Sequence, residues 1–339
     1  MIDKMPHRDY REVFEQFRHL SVMVIGDVMV DAYIFGKVER ISPEAPVPVV
    51  RVEKRLNRLG GSANVALNLK SLGAEPILCS VIGNDSKGEE FRNLLREEKI
   101  SGDHIIISPD RLTTTKYRVI GNNTQMLRVD EEMTDDLNSR DQSGLLSKIA
   151  GIIEKTTIHA IIFQDYNKGV LTADLISQVI KKAKAKNIPV AVDPKKKNFL
   201  QFRGVSLFKP NLKELREGLN RDISSHDLLS LEDAAAFLHK EMEIDTLMTT
   251  LSEKGVFVSR ILPGGNFNQH IIPAHFRNIS DVSGAGDTVI SVAALALACD
   301  LDPAEMAALA NLAGGLVCEE VGVVPVNREK LLKEAMLLL

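Results

Sequence analysis

The chain has 339 residues, 44% hydrophobic and 26% charged, an ordinary globular composition that suffices for one large α/β domain or two smaller ones. A net charge of −4 leaves no basic footprint for nucleic acid. Cys79, Cys299 and Cys318 lie far apart in apolar runs without C-x-x-C spacing, which excludes a disulfide framework and a zinc site and predicts reduced core thiols.

Residues 1–11 carry no apolar signal core, and the longest apolar stretch, 289–299, is too short to span a bilayer. A soluble cytoplasmic protein is expected. Val13, Phe14, Phe17 and Leu20 recur at helical spacing. The apolar run 22–25 predicts a strand ending at Gly26-Asp27, with Asp31 just beyond. Ligands of open α/β sheets gather at the carboxyl ends of strands, so Asp27 is placed to meet one. Residues 32–52 hold two β-branched or aromatic runs around Ser42-Pro43-Glu44-Ala45-Pro46-Val47-Pro48, and residues 112–130 hold two more around Gly121-Asn122-Asn123. Together they predict a four-stranded flap, large enough to be stable where a single pair would not be.

Leu59-Gly60-Gly61-Ser62-Ala63-Asn64 opens a helix that runs through Leu72. It reads equally as a ligand-holding glycine turn and as a tight turn capped by Ser62. Strands are then expected at 77–82, 104–107, 160–163, 190–192, 206–208, 246–249 and 256–259. Helices are expected at 87–98, 142–155, 173–186, 231–242, 289–298, 303–313 and 328–338. This alternation predicts a mostly parallel, doubly wound sheet covered on both faces. No repeat, low-complexity tract or linker divides it, so residues 1–339 are expected to form a single domain.

Asp165, Asp193 and Asn211 each follow a predicted strand, a recurrence that suits a site along one sheet edge, although a turn or cap role suits each alone. Lys168 reads equally as an anion ligand and as a solvated loop lysine, and the run 195–197 reads as a solvated face. Asn211 and Glu214 share a helix face where they could hold the waters of Mg²⁺ or form a capping box. Thr249, Thr250, Ser252 and Gly255 follow a buried strand and could line a nucleotide pocket.

The stretch Asp281-Val282-Ser283-Gly284-Ala285-Gly286-Asp287-Thr288 joins a glycine-spaced turn to an apolar helix. The free amides of such a helix start hold anions, phosphate above all. Asp287 would repel phosphate unless it had a task there, such as taking a proton from an attacking hydroxyl. A helix-terminal carboxylate is the competing reading of these eight residues. There is no P-loop and no dinucleotide fingerprint in a βαβ unit.

These motifs, in this order, resemble those of the ribokinase-like (PfkB) carbohydrate kinases. Gly60-Gly61-Ser62-Ala63-Asn64, Asn211-x-x-Glu214 and Asp281 to Thr288 look like three family signatures, with Ser62 and Val282 as departures. Within the family, residues 26–31, 40–49, 165–169 and 281–290 resemble the branch acting on D-glycero-β-D-manno-heptose 7-phosphate, in its form without a fused adenylyltransferase. Gln164 stands where serine is usual in that branch.

The resemblance implies a ribokinase-like fold and ATP-dependent phosphorylation of the sugar's O1, with Asp287 as base. It makes the amides of Gly284, Ala285 and Gly286 the anion hole, and lets Asn211 and Glu214 organise Mg²⁺ and phosphates. Thr250, Ser252, Gly255 and Asn311 are placed near the nucleotide. Asp27, Asp31, Gly60, Gly61 and Asn64 are placed on sugar hydroxyls, and Asn122, Arg128, Asp165 and Lys168 near the sugar or its phosphate. It also implies a lid, a homodimer paired through that lid, and allows a monovalent cation near Asp281. The alternatives left open are another sugar, sugar phosphate or nucleoside as acceptor, and a non-catalytic nucleotide- or sugar-binding regulator. A pure binder, however, has no need of Asp287, and a purely structural protein leaves the strand-end polar residues unexplained.

Overall fold

The computed structural model describes residues 9–262 and 264–339. The chain enters through helix α1 (Tyr10–Phe17), capped by Asp9, and then β1 (Ser21–Gly26). The next elements are β2 (Val28–Ile41), β3 (Pro48–Gly61), α2 (Ser62–Ser71), β4 (Glu75–Gly83), α3 (Ser86–Glu97), β5 (Ile105–Ser108), β6 (Thr115–Gly121) and β7 (Thr124–Glu131). After them come α4 (Ser139–Lys155), β8 (Ala160–Gln164), α5 (Ala173–Ala185), β9 (Val190–Asp193), β10 (Leu207–Phe208), α6 (Leu212–Leu219), α7 (Leu228–Met242) and β11 (Thr246–Thr250). The chain closes with β12 (Val256–Ile261), β13 (Phe267–Ile272), α8 (Ala285–Ala298), α9 (Pro303–Val317) and α10 (Arg328–Leu338).

Nine strands form one sheet in the order β13-β12-β11-β10-β9-β8-β1-β4-β5. Pairing is parallel from β11 to β5 and antiparallel only at β11–β12 and β12–β13. The edge strand β13 has no counterpart among the expected strands, because Phe267–Ile272 carries Asn268, Gln269 and His270 and is largely exposed. The strand interiors alternate between two cores. Val22 and Val24 of β1 face the layer built with α2, α8 and α9, while Met23 and Ile25 face the layer built with α4, α5 and α7. The chain winds outward from β1 through β4 to β5, then returns to the other side of β1 with β8. The carboxyl ends of β1 and β8 therefore flank the point where strand order reverses, the usual ligand crevice of such sheets.

The flap forms as a second sheet, β3-β2-β6-β7. Its strands are longer than expected, since β2 leaves β1 after a single residue and β3 runs on to Gly61. It is also mixed: β2 pairs antiparallel with β3 and parallel with β6. Gly60 and Gly61 are consequently strand residues opposite Met29 and Val28, not a turn. Ser62 does not cap α2, whose N-cap is Gly61 without a side-chain hydrogen bond. Among the described residues the cysteines form no disulfide, Cys79 and Cys318 being buried and Cys299 half-buried, and no helix is long and apolar enough to cross a membrane.

One loop fixes the mouth of the crevice. Asp27 accepts hydrogen bonds from the amides of Tyr166, Lys168 and Val170 at 2.9–3.1 Å, so residues 165–170 are clamped to the end of β1. Gly169 sits at φ +86° with its backbone against the Asp135 carbonyl, where a Cβ would overlap that oxygen. Gly169→Ala is expected to lower unfolding stability by about 1–3 kcal/mol, read as a lower denaturant midpoint.

Candidate active site

The first turn of α8 faces the carboxyl ends of β8 and β9. Its N-cap is Gly284, in the left-handed region at φ 81° with no side-chain cap, and Ala285, Gly286 and Asp287 are its first three residues. Asp287 is thus not the cap; its carboxylate points across the crevice. Oδ2 accepts from Asn64 Nδ2 at 2.8 Å, and Oδ1 accepts from the Tyr166 hydroxyl at 2.6 Å and from Gln164 Nε2 at 3.1 Å. The helix behind it is buried from Asp287 to Ala296. That burial raises the Asp287 pKa to about 6, against the lowering effect of the Asn64 and Tyr166 hydrogen bonds. At neutral pH the group is mostly ionised, with a pKa suited to a general base.

Beside it lies a buried ion pair, Lys209 Nζ to Asp193 Oδ2 at 3.1 Å, and Asp193 also accepts from Gln164 Nε2 at 3.2 Å. The pocket is lined by these groups together with Tyr166, Lys195, Asn211, Glu214, Thr250, Gly284 and Gly286. Asn211 and Glu214 form a reciprocal capping box on α6, at 2.9 and 2.8 Å, and they also face the pocket. The second Glu214 oxygen pairs with Lys195. Lys195 corrects an expectation: it turns into the site, whereas its neighbour Lys197 pairs with Asp136 on the surface at 2.8 Å.

Among the described residues the amides of Gly286 and Asp287 have no intramolecular partner, while the Ala285 amide donates to the Val282 carbonyl at 3.3 Å. Amides without a partner therefore lie at the start of α8, beside the Asp287 carboxylate. Asp281 accepts from the Ser283 and Gly322 amides at 2.9 and 3.0 Å. Burial opposes its ionisation, but these amides hold its carboxyl below the usual aspartate range.

Several expected ligands have other tasks. Asp27 is committed to the three loop amides, and Asp165 accepts from the Asn167 amide and from Asn198 at 2.8 and 3.2 Å; burial raises the Asp165 pKa to about 6. Asp31 pairs with Arg118 on the flap. Asn122, at a left-handed hairpin tip, bonds the Val38 backbone. Arg128 pairs with Asp130 at 3.0 Å and Lys168 with Glu132 at 2.8 Å. Gly60 packs against the Asp31 carboxylate and Gly61 against the Asp27 carbonyl. Gly255 abuts the chain at 272–274, where Asn311 donates to the Pro273 carbonyl at 3.0 Å. Ser252 lies on the turn before Gly255, beyond the pocket lining.

By sequence reasoning Gln164 stood out only as a departure from the heptose branch, Tyr166 only within the 165–169 motif, and Lys209 not at all; none of the three was named as a site residue. Their available signals were position alone: Gln164 ends β8, Tyr166 follows Asp165, and Lys209 lies two residues before Asn211. The flap register puts Asp31, Tyr33, Arg58, Lys116, Arg118 and Arg128 on one face. Lys116 of that face lies over the Tyr166 ring at 5.9 Å from its centroid, so the face is directed at the crevice.

Residues 19–330 match the profile described as pfkB family carbohydrate kinase. The chain belongs to this family. Over 330 residues it is 37% identical to the bifunctional protein HldE of Citrifermentans bemidjiense, covering 97% of this chain and 66% of that one. It is 39% identical over 302 residues to that of Aliarcobacter butzleri, covering 89% and 61%. The chain therefore spans under two thirds of the length of these relatives. Phosphofructokinase-2 from Escherichia coli in complex with potassium superposes with a TM-score of 0.75 at 18% identity, over 94% of this chain and 98% of that one. Arabidopsis thaliana ribokinase complexed with ribose and ATP superposes with a TM-score of 0.68 at 19% identity, over 93% and 98%. The fold is accordingly the ribokinase-like one, with its large mostly parallel sheet and small second sheet.

The buried Lys209–Asp193 pair should carry stability as well as charge. Lys209→Met leaves Asp193 buried without its cation and is expected to cost about 3 kcal/mol in chemical denaturation, with Asp193→Asn/Lys209→Met recovering most of the loss.

Proposed function

We propose that the protein is an ATP-dependent kinase for a phosphorylated sugar, with D-glycero-β-D-manno-heptose 7-phosphate as acceptor and its O1 as the hydroxyl phosphorylated. The observation that carries the reading is the Asp287 carboxylate, buried at the start of α8, next to open helix-start amides and faced by Lys209 and Lys195. A carboxylate kept beside an anion site has a reason to be there if it removes a proton as phosphate arrives.

In this reading Asp287 takes the proton of the acceptor hydroxyl. The hydroxyl oxygen forms its bond to the γ-phosphorus as the bond to the bridging oxygen of ADP breaks. The amides of the Gly284–Gly286 turn and the first turn of α8 receive the charge of the moving phosphoryl group, with the Ala285 amide released from Val282 on binding. The buried amide oxygens Asn64 Oδ1 and Gln164 Oε1 have no hydrogen-bond donor among the described residues. They flank Asp287 and suit an acceptor that brings hydroxyls.

The nucleotide would extend from this turn past Thr250 towards Ser252, Gly255 and Asn311. Asn211 and Glu214 supply one amide and one carboxylate, both already hydrogen-bonded. Among the described residues no cluster of three acidic, histidine or cysteine groups forms a metal cage. The donor set fits a hydrated Mg²⁺ held through water beside the phosphates, where it would neutralise their charge. A monovalent cation near Asp281 would share a carboxylate that already accepts two amides.

The cationic flap face favours an acceptor that carries its own phosphate over a neutral sugar. Closing the flap would exclude water, which otherwise competes as phosphoryl acceptor. On the opposite face, register aligns Val119, Leu127 and Ile34, and pairs Val129 with Tyr117. Leu127 and Val129 are 56% and 45% exposed, an apolar patch that suits pairing with a second copy of the flap. A cytoplasmic homodimer is the resulting assembly.

Asp287→Asn should keep nucleotide binding and lose about 10²–10⁴-fold in transfer rate; near-normal turnover would overturn the base assignment. Mass analysis of products from a panel of sugars and sugar phosphates tests the acceptor, and reaction of unphosphorylated sugars alone would exclude the heptose phosphate. Leu127→Asp should weaken self-association about tenfold or more in sedimentation analysis, and an unchanged dimer would exclude this face.

A further inference from the structure

We propose that Tyr166 is a positioning residue for Asp287: its phenol, carried on a loop clamped to the end of β1, fixes the carboxylate in the orientation from which it takes the acceptor proton. The inference rests on the reading of Asp287 as base.

The geometry behind it has three parts. The Tyr166 hydroxyl donates to Asp287 Oδ1 at 2.6 Å, the shortest of the three hydrogen bonds that hold the carboxylate. The residue cannot drift, because its own amide donates to Asp27 Oδ2 at 2.9 Å. The loop on either side is pinned as well, by the Asp165 amide on the Asp193 carbonyl at 3.1 Å and the Leu137 amide on the Gly169 carbonyl at 3.0 Å. Finally, two ammonium groups approach the ring, Lys116 from the flap at 5.9 Å from its centroid and Lys195 from the pocket wall at 5.8 Å. A side chain held at its backbone and its hydroxyl, with cations at its ring, is preorganised, so it orients its partner without rearranging during the reaction.

The hydroxyl is a donor throughout. Burial, then the Asp287 charge, push the Tyr166 pKa well above the usual tyrosine value, so it does not compete for the proton. The charged groups that face Asp287 are Asp193 from the end of β9, Lys209 after β10 and Lys195 beyond β9; Asn64 of α2 and Gln164 of β8 are neutral. Tyr166 is the donor among these that also touches the flap side of the crevice.

The sign of the effect follows. A hydrogen bond given to the ionised carboxylate favours that form, so removing it raises the pKa of the base. In Tyr166→Phe the acid limb of kcat/KM against pH should move up by about one unit from its wild-type position near pH 6, and kcat should fall about tenfold or more, with the KM for ATP within about twofold. Thermal midpoints measured with and without ATP separate this from a packing defect. A purely structural role would lower the midpoint and leave the acid limb in place, and that result would overturn the proposal. Asp287→Asn is assayed in parallel. If it turns over normally, the base reading itself fails; if it is inactive while the Tyr166→Phe limb stays fixed, only the role of Tyr166 fails.

Discussion

The organisation of the crevice follows from one buried carboxylate. Asp287 sits where the helix-start amides favour negative charge and where the surrounding apolar helix packing withholds water. Ionised and alone, it would be costly there. Three donors from three separate elements, Asn64 of α2, Gln164 of β8 and Tyr166 of the following loop, make it tolerable. Each of those donors is in turn placed by the sheet: the end of β1 clamps the tyrosine loop, and β8 and β9 bring Gln164 to Asp193. On the proposed reading, stability and chemistry draw on the same set of contacts.

The crevice carries cations on both of its walls. On one side, Lys195 and Lys209 answer Glu214 and Asp193, and the unpaired amides of α8 open towards the same space. On the other, the flap presents arginines and lysines, several already paired with Asp31 and Asp130. Several of these cations are held in ion pairs, and Asp287 lies between the two walls. That placement suits a reaction that joins two phosphate-bearing partners around one proton acceptor, and it suits a flap that closes over both.

Several polar residues at strand ends are tied into the structure around the site by their own hydrogen bonds. Asp27 holds a loop by its amides, Asp165 holds its own turn, and the Asn211–Glu214 pair caps a helix while facing the pocket. The choice between a structural and a functional role is not exclusive here. A capping box fixes the very side chains that would order water around a metal ion, because it removes their rotameric freedom.

The sequence by itself determined the alternation of strands and helices, the flap as two β-rich insertions, and the glycine turn that starts α8. These are local properties: apolar periodicity and turn chemistry act over a few residues and are legible in them. The edge strand β13 was not legible because its polar, exposed residues lack that periodicity. Only the tertiary structure decided which strand-end residues converge. Strand order placed Gln164 and Tyr166 against Asp287, over 120 positions away, and turned Lys195 inward while Lys197 stayed outside. It committed Asp27 to backbone amides, and made Gly60 and Gly61 strand partners of β2. Such outcomes depend on contacts between segments remote in the chain, and no local pattern of residues encodes them.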